Sequence, residues 1–122
     1  MISQNPSAIL DSCVIIDYLR NDAKAVALFT TLRNSRVSPS ISVITEIELK
    51  LFVQDVTQKP KLLDMLRQFD RYPVLLDMAD RTVELLRKFQ NDPKQKAVLF
   101  NDAIIASTAE HYGMDIFTTN TK

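Results

Sequence analysis

Short apolar runs alternate with helical repeats along this chain. Residues 8–10, A-I-L, predict a short buried strand, and from about Cys13 a helix runs to about Leu19. Asp22 can cap a second helix, A-K-A-V-A-L-F-T-T-L-R, in which Val26, Phe29 and Leu32 recur at helical spacing. The segment S-P-S-I-S-V-I, with Pro39 and its β-branched residues, predicts a second strand, after which Thr45 opens the helix T-E-I-E-L-K-L-F-V. Residues 60–70 begin on a proline and place Leu62, Leu63, Leu66 and Phe69 on a helical stripe. Y-P-V-L-L-D, residues 72–77, predicts a third strand, and A-D-R-T-V-E-L-L-R-K-F a further helix. Beyond the polar loop N-D-P-K-Q-K, the helix N-D-A-I-I-A-S-T-A-E-H-Y-G ends on Gly113, and D-I-F-T-T makes a fourth strand.

Strands alternating with helices imply a parallel sheet covered on both faces. The expected fold is a three-layer α/β/α sandwich with a central parallel sheet of four to five strands. At 122 residues the chain is read as one domain, with no repeat or linker dividing it. Ligands of such sheets bind beyond the carboxyl ends of the strands. Asp11 follows the first strand, Glu46 and Glu48 follow the second, and Thr118 to Asn120 end the last. Asp102 begins the helix leading into that last strand, so acids distant in sequence can converge on one crevice.

Composition narrows the chemistry. One glycine in the whole chain excludes Walker and dinucleotide loops, which need two or three close together. Phosphate chemistry must then rest on side chains, metal ions or helix N-termini. Fifteen basic and fifteen acidic residues leave no global positive field to attract a polyanion, although local patches can still do so. The lone Cys13 cannot form an internal disulfide, in keeping with a reducing cytoplasm; no run is apolar enough to span a membrane, and no secretory signal opens the chain. Clustered carboxylates repel and call for a cation. Their hard oxygens favour Mg²⁺ or Mn²⁺, which can activate water at a phosphodiester. Two other acid-based chemistries fall to absences: D-S-C replaces the D-x-D of haloacid-dehalogenase phosphatases, and no acidic pair of a response-regulator receiver precedes Asp11.

The blocks L-D-S-C-V-I-I-D-Y-L, S-V-I-T-E-I-E-L and N-D-A-I-I-A-S-T-A…I-F-T-T-N together resemble those of PIN-domain nucleases, most closely the VapC-like ribonuclease toxins of type II toxin–antitoxin pairs. The resemblance implies a Mg²⁺- or Mn²⁺-dependent endoribonuclease that hydrolyses RNA phosphodiester bonds, dimeric, cytoplasmic and restrained by a small antitoxin protein. It also implies that Asp11, Glu48, Asp102 and Asn120 are the catalytic set, with Asp11, Glu48 and Asp102 holding metal, and Ser12 and Thr118 as supporting hydroxyls. The family pattern T-x-x-E-L selects Glu48; helix geometry agrees that only one acid of the pair faces the crevice, because residues two apart point about 200° from each other. Arg87, Lys88, Lys94 and Lys96 are candidate RNA contacts. Two departures stand out. Cys13 occupies a position where the family commonly has Asn, Ser or Thr, and a last C-terminal strand is expected to be missing.

Each acid also has a plain reading. Asp11 can cap the following helix, Glu48 lies three after Thr45 as in a capping box, and Asp102 can favour a helix start. Asp17 is expected to pair locally with Arg20, and His111 to lie on a helix surface. Asp115 falls at the wrong end of its strand. The competing function is a catalytically weak or inactive PIN-fold module that binds RNA or a protein partner.

Overall fold

A computed structural model describes residues 6–88 and 96–118, the side chains of 96–99 excepted. Four strands, β1 (Ser7–Leu10), β2 (Ser38–Ser42), β3 (Asp70–Tyr72) and β4 (Asp115–Phe117), form one parallel sheet in the order β3-β2-β1-β4. Six helices accompany them: α1 (Ser12–Leu19), α2 (Ala23–Asn34), α3 (Val43–Phe52), α4 (Lys59–Gln68), α5 (Leu76–Lys88) and α6 (Lys96–Tyr112). The expected α/β/α sandwich is the observed architecture.

The alternation of strand side chains sorts β1 into two faces. Ala8 and Leu10 enter a large core with Val14 and Ile15 of α1, Leu32 of α2, Leu49 of α3 and Leu62 and Leu66 of α4. Ile9 points to the other face, against Ile105 and Ala109 of α6. Ile9 and Leu10 are both 0% exposed, which makes β1 the centre of the fold; burying such a side chain contributes about 1.5–3 kcal/mol. Helix α5 packs outside α6, joined by Arg81 to Glu110 through two bonds of 2.8 Å and by Ser107 Oγ donating to the Met78 carbonyl at 3.2 Å.

Helix ends follow local chemistry. The Asp22 carboxylate accepts the N–H groups of Lys24 and Ala25, as expected of the α2 cap. Gly113, at φ +67°, closes α6 while Met114 N–H reaches back to the Ala109 carbonyl at 2.8 Å, the six-to-one bond of a left-handed stop.

Three expectations need correction. The third strand is Asp70–Tyr72, not 72–77: Pro73 has no N–H for the ladder, and Leu76 already opens α5. The second strand ends at Ser42, whose hydroxyl accepts Ile44 N–H at 3.2 Å and starts α3 two residues before Thr45. Thr45 is therefore inside the helix and wholly buried, so it forms no capping box with Glu48. Finally, α6 begins at Lys96 rather than Asn101, which puts Asp102 in its second turn, beyond the reach of an N-terminal dipole argument. Among the described residues no helix is long and apolar enough to cross a membrane.

Candidate active site

Asp11 leaves β1 in extended conformation, and its carboxylate accepts Val14 N–H at 3.3 Å, capping α1. Its own N–H reaches the Phe117 carbonyl at 3.4 Å, which sets Asp11 beside the end of β4. There a cleft of about 210 Å³ is lined by Asp11, Asp102, Ile105, Ile116 and Thr118. Residues from β1, α6 and the β4 end thus meet at the carboxyl edge of the sheet, where ligands of parallel α/β folds bind. Ser12 stands beside Asp11 as the first residue of α1 but does not line this cleft.

Glu48 comes to the same region from α3. Its Oε2 accepts a hydrogen bond from Asn101 Nδ2, the residue next to Asp102 on α6. Consecutive helical residues diverge by about 100°, so Asn101 can reach α3 while Asp102 turns to the cleft. Burial first, then the negative charges of Asp102 and Asp11, push the Glu48 carboxyl above the ordinary range, against the lowering effect of Asn101. Asp102 and Asp11 therefore both act on Glu48 although the two stand 91 positions apart in the sequence, at 11 and 102.

Glu46, two residues away, faces elsewhere. Its side chain is 14% exposed and holds Lys50 Nζ at 2.8 Å and Arg71 Nη1 at 3.2 Å. Burial raises its pKa, but the two cations outweigh that and hold the carboxyl below the ordinary value. It is a structural ion-pair centre tying α3 to β3.

Cys13 lies at the exposed side of α1. Partial burial, then Asp11, Asp17, Asp102 and Glu48 in that order, raise its thiol pKa. Asp17, one helical turn away on α1, is part of these local acidic surroundings. Arg20 places its guanidinium over the Phe52 ring at 5.7 Å. His111 Nδ1 approaches Asp77 Oδ2 at 3.4 Å, between α6 and α5, and His111 is not among the cleft-lining residues.

Of the other expected site residues, Arg87 and Lys88 are exposed at the end of α5. Lys96 is the first residue of α6. Asn120 and Lys94 lie outside the described residues. Sequence reasoning missed Asn101; its position directly before Asp102, in N-D-A-I-I-A, was the available signal. A larger cavity of about 360 Å³ lies beside the start of β2, between Phe29, Phe69 and Arg36, and no carboxylate lines it.

The donor chemistry fits a hard divalent cation, since the converging groups are carboxylate oxygens whose like charges raise the Glu48 pKa. Among the described residues, no three His, Cys, Asp or Glu side chains form a group that could hold one ion. The acids converge on a mouth without closing into a cage.

Comparison with known proteins agrees with this architecture. A chain of a toxin–antitoxin complex from Klebsiella pneumoniae superposes with a TM-score of 0.75 at 25% identity, covering 94% of this chain and 88% of that one. A chain of VapBC2 from Rickettsia felis, solved bound to a DNA fragment from its promoter, gives a TM-score of 0.73 at 19% identity, over 95% and 89%. No curated protein matches at a significant level. The family model described as the PIN domain matches residues 8–122. With nearly all of its length under that one model, the chain belongs to the PIN domain family.

Proposed function

We infer that this protein is a divalent-metal-dependent endoribonuclease and the toxin of a type II toxin–antitoxin pair. The observation that carries the reading is that Asp11 and Asp102, acids from distant segments, line one cleft at the carboxyl edge of the sheet, with Glu48 bonded to Asn101, the residue next to Asp102. Membership of a family made up largely of nucleases, and likeness to a chain of a toxin–antitoxin complex, support it. Asp11, Glu48 and Asp102 are the residues to hold Mg²⁺ or Mn²⁺, with Asn120 as a further polar group. A bound ion of this type activates water and stabilises the leaving oxygen of a phosphodiester.

The chain's own residues do the rest. The cap to Val14 restrains the Asp11 carboxylate, and Asn101 restrains that of Glu48. Ile105 and Ile116 give the cleft apolar walls, and Thr118 offers a hydroxyl beside Asp11. Arg87 and Lys88, with Lys94 and Lys96, are the proposed grip on RNA phosphates. A small antitoxin protein, a second copy of the chain and a cytoplasmic setting complete the reading, which takes residues 1–122 as one PIN-like unit.

A second reading, a catalytically weak or inactive module that binds RNA or a protein partner, is favoured by Cys13, which stands beside the acids where the family commonly has Asn, Ser or Thr. Titration calorimetry with Mn²⁺ and an RNA cleavage assay separate the two. The enzyme reading expects Mn²⁺ binding and cleavage that stops in excess chelator. Cleavage unaffected by chelator, or by Asp11→Asn, overturns the metal mechanism.

A further inference from the structure

The Glu48–Asn101 pair has a chemical consequence for the choice of cation. Asn101 Nδ2 donates to Oε2 of Glu48, and among the described residues it is the only hydrogen-bond partner of that carboxylate. One oxygen is thereby engaged by a neutral amide, and Oε1 is left for another contact. The donor sits on a well-anchored element. Helix α6 is bound to α5 by the Arg81–Glu110 pair and by Ser107, and it packs on the sheet through Ile105 and Ala109. The same helix carries Asp102, so one element both supplies an acid of the cleft and holds the Glu48 carboxylate.

Mg²⁺ demands near-octahedral coordination at about 2.0–2.1 Å and is served by single carboxylate oxygens, whereas Ca²⁺ accepts six to eight oxygens at about 2.3–2.6 Å and often takes both oxygens of one carboxylate. A carboxylate with one oxygen already held by an amide suits the smaller ion and disfavours two-oxygen capture. We propose that Asn101 is a positioning residue that presents Glu48 to the cation through one oxygen, and so sets a preference for Mg²⁺ or Mn²⁺ over Ca²⁺. This rests on the metal-dependent reading above. Asn101 carries no titratable proton, so its hold on Glu48 is a matter of geometry.

A purely structural tie between α3 and α6 would affect stability and leave the ratio of metal affinities alone, and that ratio is the readout that decides. Mn²⁺ and Ca²⁺ are each titrated calorimetrically into the full chain, for the parent, Asn101→Ala, the shape-matched Asn101→Leu, and Asn101→Gln, which keeps the amide. Melting temperatures in chelator identify any variant that has not folded. The expected result is a loss of about 10–100-fold in Mn²⁺ affinity for Ala and Leu, the usual range for groups that orient a metal ligand. Ca²⁺ affinity holds or rises in the same variants, and Gln recovers part of the Mn²⁺ affinity. Parental Mn²⁺ affinity in Ala and Leu, or equal losses for both ions, overturns the role of Asn101 while the metal reading stands. A parent that binds no Mn²⁺, or that binds it equally well as Glu48→Gln, overturns the metal reading and this inference with it.

Discussion

The Asp11 carboxylate accepts the N–H of Val14 at 3.3 Å, so the residue lining the acidic cleft is also the cap of the helix that leaves it. The two roles need different properties. Capping needs an acceptor oxygen, which Asn supplies as well as Asp; cation binding needs the charge.

Asp11→Asn should therefore separate them. The melting temperature in chelator stays close to the parent's, because the cap survives. RNA cleavage in Mn²⁺ falls by at least about 100-fold, given the loss of a carboxylate from a metal-assisted site. A large stability loss with activity retained would identify Asp11 as a cap alone. Gel assays and differential scanning calorimetry on the same preparations read both quantities.

Glu48→Gln should stabilise the metal-free protein. Burial, then Asp102 and Asp11, raise the Glu48 pKa above its ordinary 4.5, with the Asn101 bond opposing them. A carboxyl whose pKa is raised on folding favours the fold while protonated, and that contribution is lost as pH rises through the folded value. At neutral pH the ionised form is a cost that Gln removes, while Gln still accepts from Asn101. The variant's advantage in melting temperature should shrink to nothing as pH falls below 4.5.

Glu110→Gln should behave in the opposite sense. The bidentate Arg81 pair, acting mainly through its hydrogen bonds, holds the Glu110 carboxyl below its ordinary value. Its contribution is present above the ordinary value of 4.5 and lost as pH falls through the lower folded value. The parent is expected to melt higher than Glu110→Gln at neutral pH, with the gap closing in acid. A gap that persists in strong acid would place the effect in packing between α5 and α6.

Thr45→Val should be neutral or stabilising, by up to about 1 kcal/mol, because it replaces a hydroxyl with a methyl of similar shape. Thr45 is 0% exposed, and its Oγ1 has no hydrogen-bond partner among the described residues. A loss of more than about 1 kcal/mol in denaturant unfolding would mean that this hydroxyl is satisfied in solution.

Much of the fold was legible because its signals are local. A-I-L before Asp11 reads as a short buried strand, and Asp22 and Gly113 mark helix ends by their own chemistry. Boundaries set by competition between neighbours were less legible. Ser42 and Thr45 both look like helix caps, and the winner was decided by where β2 stops pairing with β3, at Ser42 opposite Tyr72. The helical character of residues 96–100, which moved Asp102 away from a helix start, lay behind a run of polar residues that read as loop.

By itself the sequence determined the alternating α/β order and that only one of Glu46 and Glu48 can face the crevice, because periodicity and spacing are properties of the chain alone; the family resemblance pointed to Glu48 as that one. Tertiary structure alone decided which of these groups meet. It placed Asp11 and Asp102 in one cleft with Thr118, joined Glu48 to Asn101, and brought Asp102 and Glu48 to bear on Cys13. The physical reason is that a carboxylate's charge and hydrogen bonds act over a few ångströms of space, whatever the number of residues between the partners.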